Sequence, residues 1–240
     1  MSYPINYPTP QGANIQIFET GFSDSDWVKP QGASFVWFTL IGAGADGGYN
    51  QNGDFGGGGG SGAVTNFMCP AFLIPDQLKV VIGKGGGGSA TGYTKIIYQQ
   101  KDGTGYELLT ARTGTDGGTN TTGSGAGAMT ANYFTAMGFF QSVAGQAGAS
   151  GGQSASTTTF LSGGAGSFST SSSNYDYNVS STKRGFFMMQ PVIVGISNGG
   201  QAGSVTAKAT SAIGCGGSAG DSDPTYTSKG GDGMAVIITW

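Results

Sequence analysis

"FVWFTLIGAGADGG", residues 35–48, decides how the rest of the chain is read. Its first seven residues are aromatic, aliphatic or β-branched, which predicts a buried strand. Gly42-Ala43-Gly44-Ala45-Asp46-Gly47 then spells G-x-G-x-x-G, the form of a dinucleotide-binding turn. That turn works only where it opens a helix whose N-terminal N–H groups face a pyrophosphate. The chain continues instead as "YNQNGDFGGGGGSGA", with five glycines in a row at 56–60. Each glycine inside a helix costs about 1 kcal/mol relative to alanine, so no helix is expected there. The acidic residue due about 20 residues on is also missing. "VVIGKGGGGSATG" (80–92) fails as a phosphate loop too, because Lys84 precedes the glycines and is followed by Gly85. No cofactor is expected, and the glycines need another explanation.

Their spacing supplies one. Gly53, Gly56, Gly59 and Gly62 fall at every third residue, as do Gly145, Gly148 and Gly151, and Gly214, Gly217 and Gly220. Three residues make one turn of the polyproline II helix, which has no internal hydrogen bonds. A glycine at each turn leaves one face bare, so that neighbouring backbones can approach and pair between segments. These glycine-rich loops are therefore predicted to pack as polyglycine II helices, with Gly148 and Gly217 inside the bundle. The competing expectation is a set of loose loops.

Composition narrows the class. Glycine is 48 of 240 residues, far above ordinary usage, yet 14 Phe and 10 Tyr supply a side-chain core. The net charge is −3, without a basic patch for nucleic acid or anionic lipid, and no apolar run is long enough to insert in a membrane. Nothing in "MSYPINYPTPQGAN" reads as a secretory signal, so synthesis in a cytoplasm is expected. Cys69 and Cys215 lack any histidine to complete a zinc site; they are read as buried thiols, with a disulfide as the alternative. Asp221, Asp223 and Asp232 read as solvated turn residues before calcium ligands. No catalytic or metal-binding set emerges, and an enzyme is not expected.

Strands are predicted near 14–18, 34–41, 62–69, 77–83, 94–100, 106–111, 186–196 and 234–240, with a hairpin turn at Asp102-Gly103. "MTANYFTAMGFFQSV" (129–143) is the one segment expected to be helical. The fold class is all-β, an antiparallel β-sandwich. Residues 1–13 form a docking arm stiffened by Pro4, Pro8 and Pro10, with Tyr3 and Tyr7 as contact rings. Residues 14–240 form the domain, and 112–182 is a Gly/Ser/Thr-rich insertion within it.

"IQIFETGFSDSDWVKPQGASFVWFTLIGAGADGG", with its Trp27-Val28-Lys29-Pro30 element, resembles the opening of glycine-rich domains of bacteriophage tail-fibre and other virion proteins. "GGGGGSGAV", "PDQLKVVIGKGGGG" and the closing "GGDGMAVIITW" fit the same resemblance. A similar glycine-rich module occurs outside the virion, in the extracellular region of some receptor tyrosine kinases. The resemblance implies a sandwich of jelly-roll, tumour-necrosis-factor type with packed polyglycine helices. It also implies a virion structural protein, made in the host cytoplasm: a fibre, spike or decoration component. Its expected partners are other virion proteins, copies of itself (a trimer first) and a host surface glycan or protein. The short arm favours a small protein fixed to a larger particle. The alternative is a non-viral cell-surface or ice-binding adhesin module. Tyr49, Phe55, Tyr175 and Tyr177, aromatic residues in polar surroundings, are the candidate receptor or glycan contacts.

Overall fold

The computed structural model describes residues 12–19, 25–48, 56–86, 91–119, 121–149, 213–217, 219 and 229–240. Nine strands are defined among the described residues: β1 (Asn14–Phe18), β2 (Ser25–Val28), β3 (Phe35–Ile41), β4 (Val64–Pro70), β5 (Gln77–Val81), β6 (Thr94–Gln99), β7 (Gly105–Ala111), β8 (Phe139–Val143) and β9 (Met234–Thr239). They form two antiparallel sheets, ordered β1-β9-β3-β4-β8 and β2-β5-β6-β7. The protein is all-β, with the arrangement of a β-sandwich.

Period-two alternation sets which residues face inward. On β3, Val36, Phe38 and Leu40 are fully buried; on β4 their partners include Phe67 and Cys69. Trp27, Leu78, Val80, Ile96 and Leu109 of the second sheet join the same apolar cluster. The core is therefore made of side chains, as the strand periodicity predicts.

The Trp-x-Lys-Pro element ties the sheets together. Trp27 is completely buried and meets Phe38 edge-on, with ring centroids 5.9 Å apart. Two residues on, the Lys29 ammonium donates to the carbonyls of Ala71 and Ile74 at 3.1 and 2.8 Å. It also pairs with Asp76 at 2.8 Å, while the Lys29 N–H donates to the Asp76 carbonyl. One side chain thus secures the short 3-10 turn Ala71–Leu73 between β4 and β5.

The segment expected to be helical is not. Only Thr135–Met137 makes a 3-10 turn, and Phe139–Val143 is β8, paired with β4. Gly138 is extended, and Phe134 packs on Phe67 at 4.8 Å. An open edge of β4 and a ring pocket outweighed a weak helical preference. The strand near 186–196 lies outside the described residues.

Both cysteines are buried, and neither is in a disulfide. Cys69 sits in the sandwich core, whereas Cys215 belongs to a second apolar cluster with Ile41, Val64 and Met234. Burial raises the Cys69 thiol to about 11. At neutral pH only about one molecule in 10,000 then carries the thiolate that thiol reagents need. Cys69 should resist Ellman's reagent in the native protein and react once guanidinium unfolds it. Rapid native labelling at this residue would contradict the buried placement.

Candidate functional site

Beyond the ends of the strands, the chain builds a second body from main chain. Residues 56–63 are buried throughout. Gly57, Gly58 and Gly59 donate in turn to the carbonyls of Gly118, Ala149 and Gly217. Gly60, Ser61 and Gly62 donate to Thr115, Gln146 and Gly214, and Ala63 returns to Arg112. All seven bonds measure 2.8–3.0 Å. Donors three residues apart therefore address one neighbour, and the acceptors there step backward by three. On the accepting side, Gly42, Ala45 and Gly48 donate to Ala63, Gly60 and Gly57. Gly123 and Ala126 donate to Gly58 and Ser61. Five segments thus surround one buried stretch.

The outer segments bond to each other in the same manner. Thr115 donates to Ser124 and Gly118 to Thr121, while Gly145 donates to Ala126 and Gly148 to Gly123. Exposure follows the same step: Thr121, Ser124 and Gly127 face solvent, while Gly123 and Ala126 between them are buried.

Glycine is required here by close approach. A Cβ on Gly57 would strike the Thr121 carbonyl, on Gly60 that of Ser124, on Gly62 that of Gly42, and on Gly148 that of Gly58. Each intramolecular bond contributes about 0.5–1.5 kcal/mol net, but a buried N–H left unpaired costs about 1–3 kcal/mol. Such a core is stable only when its donors are nearly all matched.

Three carboxylates fasten its edge. Asp46 Oδ1 accepts from the Gly230 N–H at 2.8 Å, and Asp232 Oδ1 accepts from the Gly85 N–H at 2.7 Å. The Asp46 N–H donates to Asp116 Oδ1 at 2.9 Å. Burial raises the Asp46 carboxyl above 3.8 and the Asp116 charge adds to this, against the opposing effects of the Gly230 N–H and Lys229. Because its folded pKa is raised, Asp46 favours the fold most when protonated, below 3.8, and that contribution is lost as pH rises through the raised value. Asp46→Asn keeps an oxygen for Gly230 and removes the charge. It should melt above wild type at pH 7, with the difference shrinking toward zero as pH falls to 3.8, measured by calorimetry across that range.

The turns that mimic nucleotide loops are occupied by the protein itself. Gly42 donates to Ala63, Gly44 to Gly231, Lys84 to Thr91 and Gly86 to Gly44. Gly83 donates to Thr94 Oγ1 at 3.1 Å. Those N–H groups hold neighbouring segments together. Among the described residues, no group of three or more His, Cys, Asp or Glu could hold a metal ion.

The body runs from β3 through the last glycines before β9, and a family model described as a glycine-rich domain matches residues 20–240. The chain belongs to this glycine-rich family. No curated protein matches it. The family match takes in β2 through β9 and every segment of the main-chain body.

Of the glycines predicted to pack, Gly56, Gly59, Gly62, Gly145, Gly148, Gly214 and Gly217 lie in or against this body. Gly53, Gly151 and Gly220 lie outside the described residues. So do the arm residues Tyr3, Pro4, Tyr7, Pro8 and Pro10, and the candidate contacts Tyr49, Phe55, Tyr175 and Tyr177. Sequence reasoning missed Gly42-Ala45-Gly48, Gly57-Gly60-Ala63 and Gly123-Ala126. The signal was present: alanine stands in the three-residue series beside glycine, and counting only glycine hid it.

Proposed function

We propose that this glycine-rich chain is a bacteriophage virion structural protein, a fibre, spike or decoration component that acts by binding. The observation that carries the reading is the run of seven consecutive buried N–H groups from Gly57 to Ala63, each bonded to another segment. A body made this way has little charge and few side chains to move. Its bonds tie segments distant in sequence, which suits a part that must be rigid and resist proteolysis outside a cell. The three-residue stepping of donors supports polyglycine II helices packed as a bundle beside the jelly-roll type of sandwich. The resemblance to tail-fibre glycine-rich domains supplies the setting.

In this reading residues 1–13 dock the domain on the particle, copies associate, with a trimer as the first expectation, and the outer surfaces meet a host glycan or protein. Mass spectrometry of purified particles tests the assignment: the chain should be present at a fixed copy number, and its absence overturns the virion reading. A variant lacking residues 1–13 should fold with an unchanged melting temperature and be lost from particles. Normal incorporation of that variant overturns the role of the arm.

A further inference from the structure

The β1-β9-β3-β4-β8 sheet turns one face into the sandwich, and its register fixes what the other face carries. Ile237, Phe38, Phe67 and Phe140 are aligned across four strands and belong to the core cluster. Their neighbours along each strand therefore point away from the core. One row of these, crossing all five strands, is Ile15, Ile238, Trp37, Met68 and Phe139. The next is Ile17, Val236, Thr39, Asn66 and Gln141. The last, beside the glycine body, is Met234, Ile41, Val64 and Val143. A sheet face left to water is ordinarily polar at such positions. Here no member of the three rows is charged, and Phe139 and Ile17 are 60% and 43% exposed. We infer that this outer face is the docking surface for residues 186–196 of the same chain.

The cover begins within the described residues. Residues 150–212 lie outside them, and the chain re-enters at Ile213. Ile213 and Cys215 pack on Ile41, Val64 and Met234, so the returning chain comes down on the last row. In the middle row, Thr39 and Asn66 are buried although they point away from the core. Asn66 Oδ1 accepts from Thr39 Oγ1 at 2.9 Å. Its Nδ2 is buried without an acceptor among the described residues. A buried donor of that kind costs stability until something accepts from it, and a chain laid over the sheet brings carbonyls to do so.

Sequence and length select the occupant. Within 150–212 the apolar side chains concentrate in "FFMMQPVIVGI", 186–196, where only Gln190 and Gly195 are not apolar. The stretch 197–212 joins it to Ile213 and can span about 50 Å. The first row lies only about 14 Å from the last. The face itself is about 20 Å each way, or roughly 400 Å². Specific complexes of folded proteins bury about 800 Å² on each partner, so a second copy is poorly matched to this face. An extended segment the length of 186–196 covers about 36 Å by 10 Å, which matches it. Docking also removes two apolar surfaces from water at once. With this face taken by the chain itself, particle proteins or a host ligand would meet other surfaces. The inference stands whatever becomes of the virion reading.

Photocrosslinking of the full chain at low concentration tests it. p-Benzoylphenylalanine replaces Phe139 in one protein, Ile17 in a second and, as a control on the other sheet, Tyr106 in a third. Trypsin cuts after Arg184 and Lys208, which releases 186–196 within the fragment 185–208. Mass spectrometry should find that fragment linked to position 139 or 17 in products of monomer mass, and not linked to position 106. Val192→Asp with Val194→Asp should abolish the link while near-ultraviolet circular dichroism still reports a folded sandwich. If that variant does not fold, the links made by the unsubstituted segment decide alone. Products of twice the monomer mass would assign the face to a second copy and overturn the inference. So would the absence of fragment 185–208 from the links at both positions, equal linking at 106, or a link that survives in the folded double variant.

Discussion

Gly148→Val is expected to lower stability by about 3 kcal/mol, the upper end of ordinary overpacking. The new Cβ would collide with the Gly58 carbonyl and lie 2.9 Å from the Gly59 oxygen. Both are main-chain atoms of a fully buried stretch and cannot swing aside as a side chain would. Making room would also stretch the bond from the Gly148 N–H to the Gly123 carbonyl. Gly217→Val should act in the same direction, since the Gly217 N–H donates to Ala45 and its carbonyl accepts from Gly59. Loose loops would give the opposite sign, because valine lowers the entropy of the unfolded chain and would stabilise by a few tenths of a kcal/mol or more. Melting temperatures or urea midpoints of both variants decide the matter. Gly103 is the control: nothing lies within 4 Å of its added Cβ, but φ is +86°. Gly103→Asn should be tolerated and Gly103→Val should cost about 1–2 kcal/mol through the backbone alone.

Trp27→Ala should cost about 3–5 kcal/mol, the range for removing a large aromatic from a packed core. The indole is completely buried, rests on Phe38 and comes from a strand of only four residues. Its loss would also loosen the chain just before Lys29, which secures the β4–β5 connection. The Trp27 Nε1–H is buried without a hydrogen-bond partner. Trp27→Phe, which removes that polar group and keeps a ring, should therefore cost much less than the alanine change. Denaturant unfolding of both variants makes the comparison. A loss below about 1 kcal/mol for Trp27→Ala would show that Trp27 does not hold the sheets together.

The sequence by itself determined seven of the nine strands among the described residues, all but β2 and β8, and pointed to the glycines as places of close backbone approach. β1 and β9 were legible within a residue because alternation and β-branched side chains are local signals, and Gly103 declared its turn through the Asp-Gly pair. Three-residue spacing likewise announced backbone approaching backbone, since it concerns only where side chains are missing. Tertiary structure alone decided which segments meet. The carbonyls that receive Gly57, Gly58 and Gly59 lie 61, 91 and 158 residues further along the chain, and nothing local to glycine encodes a partner. β8 shows the same limit: the preference of 129–143 was weak, and the open edge of β4 drew Phe139–Val143 into the sheet. Side-chain pattern fixes what each strand buries; the matching of main-chain donors to acceptors across the whole chain fixes the rest.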